Sequence, residues 1–381
     1  MSAALLLFPF ANSSQAQSET TRKEDKVDAI FVGFREPGIP GVAILVKKNG
    51  RVILQRNYGV RDLRTQKAID SKTNFRLASC TKQFTAMTIM LLVHDGKLHY
   101  DQRLTDIFPE FPEYGKLITI RNLLNHTSGL PDYEELMGQA SSGKSPQWTE
   151  TRQIRDAEVL ELLETQTTGK FPPGTQWSYS NSGYVVLELV AAKASGKSFE
   201  DLLDQRIFKP LMMHHTLAYV PGKNPVSNRA YGHSQAGNGF QETDQSTTSA
   251  TLGDGGVYSN LEDLAKWDDA LAHHTLLGAS EMQLALTPVK LADGAQPHWT
   301  SGPGDTDPQA GKPVSYGFGW FLDPYEKHAR MWHYGDTMGF KAAIERFTDN
   351  HLTIILLANR SDVDGAALAS KLADLFLLAD K

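Results

Sequence analysis

Val42-Ala43-Ile44-Leu45-Val46-Lys47-Lys48-Asn49-Gly50-Arg51-Val52-Ile53-Leu54 decides how the fold is read, because two apolar runs meet at Asn49-Gly50. Asn-Gly between such runs predicts a β-hairpin: both turn residues tolerate positive φ, and the resulting turn matches the twist of the strands. The arrangement returns near the other end of the chain, where Ala342-Ala343-Ile344-Glu345-Arg346-Phe347 and Leu352-Thr353-Ile354-Ile355-Leu356-Leu357 flank Asp349-Asn350. If one sheet holds both hairpins, its halves are about 300 residues apart, and the segment between them is a large insertion. Ala366 to Leu378 has apolar residues at helical spacing and predicts a closing helix over the sheet.

The inserted segment is mostly helical in pattern. Helices are expected over Gln83–Val93, Ile120–Leu124, Ala157–Glu164, Gly183–Ala194, Phe199–Ile207 and Leu261–Ala272. Two stretches read as surface loops: the polar Asn224–Ser249 and the Gly- and Pro-rich Ala295–Pro313. No fixed-period repeat is present, which argues against solenoids and propellers.

Composition narrows the function. The chain has 381 residues, 40% apolar and 22% charged, as in ordinary globular proteins. With 38 Lys and Arg against 44 Asp and Glu, the formal charge is −6, and no concentrated basic face is there to hold a phosphate backbone. No nucleic-acid partner is expected. The single cysteine, Cys80, excludes an internal disulfide and a Cys-ligated metal site. His214-His215 and His273-His274 lack the His-Glu-x-x-His spacing, so no metal is expected; with neither a Gly-x-Gly-x-x-Gly nor a phosphate-loop pattern, no cofactor is expected either. The apolar start Ala3-Ala4-Leu5-Leu6-Leu7-Phe8-Pro9-Phe10-Ala11, followed by Ser14 and Ala16 in a small-x-small arrangement, predicts an export signal over residues 1–16 and a periplasmic or secreted protein. That run is far shorter than the ~20 residues that span a bilayer, so no membrane span is expected.

Chemistry concentrates at Phe75-Arg76-Leu77-Ala78-Ser79-Cys80-Thr81-Lys82-Gln83-Phe84. Ser79 and Lys82 are i and i+3 at the start of a helical run, so the Lys82 amine reaches the Ser79 hydroxyl. At a helix N-terminus, free N–H groups also stabilise developing negative charge. Cys80 faces another side of the helix and reads as a packed neighbour. Pattern matching alone is weak here, since Ser-x-x-Lys recurs at Ser141 and Lys144, Tyr-x-Asn at Tyr179–Asn181 and Tyr258–Asn260, and His-x-Gly at His94–Gly96 and His333–Gly335. Context separates the copies. Ser141 lies in a polar loop; His94-Asp95-Gly96 ends a helix as a Gly cap; Asn260 is placed to cap the Leu261 helix. Tyr179-Ser180-Asn181 lies on a loop between Pro172-Pro173-Gly174 and a helix, where it reads either as a functional loop or as a packed tyrosine with Asn181 as the helix N-cap. His333-Tyr334-Gly335 precedes the C-terminal hairpin, at a strand edge that a substrate backbone can approach.

Taken in order, Ser79-x-x-Lys82, Tyr179-x-Asn181 and His333-x-Gly335 resemble the serine β-lactamase and penicillin-binding-protein superfamily. Within it, Tyr-x-Asn points to the branch of class C β-lactamases, D-alanyl-D-alanine carboxypeptidases and esterases. Ile118-Thr119-Ile120-Arg121-Asn122-Leu123-Leu124-Asn125-His126-Thr127-Ser128-Gly129-Leu130-Pro131, Gly255-Gly256-Val257-Tyr258-Ser259 and Tyr316-Gly317-Phe318-Gly319-Trp320 are similar to the same branch, and the His126 block is the most specific of them. The resemblance implies an α+β fold: a five-stranded antiparallel sheet flanked by helices, with a large all-helical insertion and the active site between the two. It implies one catalytic domain over about 27–378, with an α/β lobe (about 27–75 and 315–378) and a helical lobe (about 76–314).

The resemblance further implies a serine hydrolase. Ser79 would be the acylated nucleophile, Lys82 and Tyr179 would share the base and acid roles, and Asn181 would bind the substrate amide or Lys82. The N–H groups of Ser79 and Asp336 would form the oxyanion hole, with Gly335 and His333 at the substrate. His333 stands where class C β-lactamases carry a lysine for the substrate carboxylate, and a neutral imidazole is a poorer anchor. The Asp336 carboxylate would repel anionic substrates if it faced the cleft. Free tyrosine and lysine titrate near ~10 and ~10.4, so making either a base at neutral pH takes about 4 kcal/mol of differential stabilisation. The pair is therefore expected to titrate as a unit. The expected substrates are small esters or amides, including D-amino-acid peptides and β-lactams. The competing reading is a catalytically silent peptidoglycan- or peptide-binding protein, against which the joint presence of nucleophile and base argues.

Overall fold

The computed structural model describes residues 23–142, 146–299 and 309–377. The export signal expected over 1–16, Lys144 of the second Ser-x-x-Lys pattern and part of the Ala295–Pro313 stretch lie outside these residues.

Both hairpins form and belong to one sheet. Its strands are β1 (Val42–Lys48), β2 (Arg51–Tyr58), β3 (Arg330–Thr337), β4 (Phe340–Phe347) and β5 (Leu352–Ala358), in the spatial order β3-β4-β5-β1-β2 with every pair antiparallel. Asn49 and Gly50 both adopt positive φ, 51° and 74°, as the Asn-Gly turn requires. β1 and β5 join the ends of the chain, with Leu45 opposite Ile355. This is the α+β fold that the resemblance implies.

The period-2 alternation of strand side chains decides what covers each face. Ala43, Leu45, Ile355 and Leu357 point into the large core shared with the inserted helices. Val42, Ile44, Val46, Ile354 and Leu356 point the other way, under Val27 and Phe31 near the start and Ala369, Leu372 and Phe376 of the closing helix Gly365–Leu377. Burial on both faces explains why β1 and β5 read as continuous apolar runs.

Helices appear where expected at Lys82–His94, Ile120–Leu124, Asp156–Glu164, Asn181–Ser195 and Leu261–Ala272. The expected Phe199–Ile207 helix is α-helical only to Leu203 and then widens to i→i+5 turns over Asp204–Phe208. Tyr133–Ala140 and Ala279–Ala285 are further helices, too short for their apolar period to stand out. Asn224–Ser249 is not simply a surface loop: it holds a hairpin, His233–Ala236 with Gly239–Glu242, and buries His233 and Ser249. Asp244 organises it from within: the Gly232 N–H donates to Asp244 at 2.8 Å, and Asp244 also pairs with Arg229. No helix among the described residues is long and apolar enough to cross a membrane.

A buried ion cluster ties the sheet to the Leu261–Ala272 helix. Asp268 accepts from Arg346 Nε at 2.6 Å and Thr353 Oγ1 at 2.7 Å, and Lys47 Nζ is 3.0 Å away. Burial raises the Asp268 carboxyl, but Arg346, Lys47 and Thr353 outweigh it and hold it below the ordinary carboxylate range. A group lowered in this way contributes stability in full above its unfolded pKa, and that contribution is lost as the pH falls through the folded value. Asp268→Ala leaves the buried Arg346 guanidinium without a carboxylate, while Lys47 keeps Asp269 at 2.5 Å, and is expected to cost about 3–5 kcal/mol in chemical denaturation at pH 7. The gap between variant and parent narrows as acid protonates Asp268.

Candidate active site

Ser79 and Lys82 stand at the junction of a 3₁₀ turn, Ala78–Thr81, with the helix that begins at Lys82, so Ser79 precedes the helix instead of occupying its first turn. Ala78, immediately before Ser79, is held at φ 47°, a left-handed conformation that an L-residue adopts only at a cost of about 1–2 kcal/mol. Such strain persists where the surroundings over-determine the backbone. Here Gly255 packs over Ala78, Val257 N donates to Thr81 Oγ1 at 3.1 Å, and Thr85 Oγ1 donates to Gly253 O at 2.6 Å.

Lys82 is fully buried, and its amine donates to Ser79 Oγ at 3.2 Å, Asn181 Oδ1 at 2.8 Å and the Asp254 carbonyl at 2.9 Å. Three acceptors match the three N–H groups of an ammonium and leave the chain one orientation. Asn181 is free to serve because Ser180, not Asn181, is the N-cap of its helix: the Gly183 N–H donates to Ser180 Oγ at 2.9 Å. The reading of Asn181 as the cap is thereby corrected. Tyr179, half-buried, has its ring centroid 4.9 Å from Lys82 Nζ. The second Tyr-x-Asn copy is structural: Tyr258 is buried in a strand, and Asn260 Oδ1 accepts from the Asp263 N–H as a helix cap. His94 is also structural, pairing with Glu281 at the helix end. Cys80 is fully buried, its thiol donates to the His333 carbonyl at 3.2 Å, and burial pushes its pKa up, which suppresses the thiolate.

The edge strand β3 closes the site. A Cβ at Gly335 would fall 2.0 Å from the Leu77 carbonyl oxygen, so only glycine lets β3 run this close to the turn that bears Ser79. Gly335→Ala is expected to push the strand off that turn and lower kcat/KM by about 10²-fold, the usual effect of an ångström-scale displacement. Steady-state assay beside a thermal melt checks it. Asp336 follows at the cleft mouth, where its exposed carboxylate pairs with Lys341 of β4, which offsets part of the negative charge it brings to the cleft. His333 is 2% exposed. Burial, reinforced by Lys82 and opposed only by the Tyr334 carbonyl, pushes it down to about 3. The neutral ring donates from Nδ1 to Tyr334 O at 2.7 Å and accepts at Nε2 from the Tyr316 hydroxyl at 3.4 Å. Both ring nitrogens are therefore engaged within the protein.

A family model described as Beta-lactamase matches residues 27–377. The chain belongs to the beta-lactamase family. It is similar to a penicillin-binding protein of Bacillus subtilis, 31% identical over 332 residues that cover 84% of this chain and 68% of that one. A D-aminopeptidase of Cereibacter sphaeroides is 27% identical over 350 residues, covering 91% of this chain; the chain spans 61% of that relative's length. Among solved structures, the D-amino acid amidase of Ochrobactrum anthropi superposes with a TM-score of 0.74 over 94% of this chain and the whole of that one, at 23% identity.

Within this beta-lactamase-family fold, Ser79, Tyr179 and His333 line an open cleft of about 910 Å³. Much of its wall is aromatic and was not anticipated from the sequence. Phe321 stacks on Trp332 at 4.4 Å and on Trp299 at 5.7 Å, and Trp332 meets Tyr334 at 4.3 Å. Asp323 fixes the wall by accepting from Trp332 Nε1 at 2.5 Å and pairing with Arg330 at 2.6 Å. Arg330, Trp332 and Tyr334 alternate along one strand and share a face, a period that β3 itself carries. The Asp254 carbonyl on Lys82 was also missed, since a backbone oxygen leaves no mark in a residue pattern.

Proposed function

We propose that the protein hydrolyses small amides or esters through an acyl-enzyme on Ser79. The observation that carries this reading is the buried Lys82 amine, held between Ser79 Oγ and Asn181 Oδ1 at the floor of the cleft beside Tyr179. Ser79 Oγ attacks the substrate carbonyl while its proton passes to the Lys82–Tyr179 pair, and the carbonyl becomes an oxyanion stabilised by the N–H groups of Ser79 and Asp336. Collapse breaks the bond to the amine or alcohol, which leaves with that proton. Water then attacks the acyl group, the pair takes its proton, and Ser79 is regenerated as the acid is released.

The aromatic wall supports substrates with an apolar or aromatic group, and the relatives named above support a D-amino-acid acyl donor. A neutral His333 with both nitrogens engaged favours amides and esters over β-lactams, whose carboxylate calls for a cation. A fluorophosphonate probe should label Ser79, and turnover should follow the order D-phenylalanine amide or aryl ester above nitrocefin. Absence of both label and turnover in the folded protein defeats the reading and leaves the silent-binder alternative. The apolar run before Ser14 and Ala16 supports export, which N-terminal sequencing of protein recovered from the periplasm or medium checks.

A further inference from the structure

Asn125-His126-Thr127-Ser128-Gly129 belongs to the most specific stretch of the sequence, yet the reaction above uses none of it. His126 is fully buried and sits at φ 64°, a second non-glycine residue in a left-handed conformation close to the site. It holds the chain on both sides of Tyr179: the Ser178 N–H donates to the His126 carbonyl at 3.0 Å, and the Ser180 N–H donates to His126 Nδ1 at 3.1 Å. The imidazole also lies against the phenol, with ring centroids 4.5 Å apart, and is backed by Tyr316 at 4.6 Å and Tyr184 at 5.1 Å. Further along, Thr127 O accepts from Gly174 N and Gly129 O from Lys170 N, both at 2.8 Å. A Cβ at Gly129 would fall 2.1 Å from the Phe171 carbonyl oxygen, so the two segments lie backbone to backbone.

An imidazole that accepts at Nδ1 must carry its proton on Nε2, and a doubly protonated ring could not accept at all. Burial, with Lys82 and His333 nearby, pushes the His126 pKa well down, so that acceptor persists through the neutral range. Nε2 has no hydrogen-bond partner among the described residues and is enclosed by rings. The ring's one polar bond therefore goes to the segment that bears Tyr179.

We propose that His126 is the positioning residue for Tyr179, holding the phenol beside Lys82 from both flanking backbone groups without itself touching substrate. The proposal rests on the reading of Tyr179 as a proton carrier. Its test compares His126→Asn, His126→Gln and His126→Ala in the full chain, with kcat and KM measured on an aryl ester and folding followed by thermal melts. Asparagine tolerates the left-handed backbone, and its Oδ1 falls near the position of Nδ1, whereas glutamine extends toward the position of Nε2. The Asn variant should keep kcat within about fivefold, while Gln and Ala lose about 10²-fold in kcat with KM within about twofold. Should the Ala variant fail to fold, the contrast between Asn and Gln still decides.

A second readout needs no turnover. In protein carrying ¹³Cζ-tyrosine, the resonance lost in Tyr179→Phe should move in the Gln variant and stay in the Asn variant. Equal kcat losses in Asn and Gln with an unmoved Tyr179 resonance, or losses that track only the folded fraction, overturn the proposal. If the parent protein neither labels on Ser79 nor turns over ester, the acyl-enzyme reading fails, and the Tyr179 resonance alone judges His126.

Discussion

Ser79→Ala should remove turnover, lowering kcat by roughly 10⁴- to 10⁶-fold, because on the proposed mechanism it removes the nucleophile and leaves only the background supplied by binding and the proposed oxyanion site. The variant should fold like the parent. Ser79 is only partly buried and its hydroxyl accepts one hydrogen bond, from Lys82, which keeps two other acceptors. Substrate binding should survive, so a slow substrate should still bind with a Kd close to that of the parent. The covalent adduct supplies the sharper measurement: intact-protein mass spectrometry after a fluorophosphonate should show one addition in the parent and none in the variant. Cys80 gives the control, since it is adjacent in sequence yet fully buried with a suppressed thiolate. An adduct that persists in Ser79→Ala and maps to Cys80 would overturn the assignment.

Lys82→Met should lower kcat by about 10³-fold, within the range that a positioned proton-transfer group supplies. Methionine fills most of the volume, so packing is preserved. Asn181 Oδ1 and the Asp254 carbonyl lose their donor, at about 1–3 kcal/mol for each buried group left unpaired. Part of that loss is offset because an amine with no carboxylate in direct contact no longer has to be kept out of water. Lys82→Arg should not rescue activity: three acceptors converge on one nitrogen, a geometry suited to an ammonium and not to a planar fork. Tyr179→Phe should also be severe. If Lys82 and Tyr179 pass the proton as a unit, the double variant should be no slower than the worse single one. Additive losses in that cycle would show two independent roles.

How much of this could be read from the residues varies from element to element. The hairpin at Asn49-Gly50 was legible because its turn chemistry is local. The helices at Ile120–Leu124 and Leu261–Ala272 were legible to the residue because Thr119 and Asn260 cap them with their own side chains. The Asn224–Ser249 stretch was not, because its order comes from the Arg229–Asp244 pair and from packing against distant backbone. Within the site, Ser79 and Lys82 were legible as an i, i+3 pair. The N-cap choice between Ser180 and Asn181 was open, because either side chain can cap and only the partner supplied by Lys82 separates them.

By itself, then, the sequence determined what depends on near neighbours: the hairpin turns, most helix positions, the i, i+3 pairing of the Ser79 hydroxyl with the Lys82 amine, and the apolar runs that become the strands. The tertiary structure decided what depends on groups far apart in the chain. It brings Asn181 and the Asp254 carbonyl to Lys82, packs β3 against the turn below Ser79 through Gly335, seats His333 where burial and Lys82 keep it neutral, and builds the aromatic wall from three separate segments. The division follows the range of the forces. Backbone preferences and capping bonds act within about one helical turn, whereas desolvation and close packing exist only once distant segments have excluded water from one another.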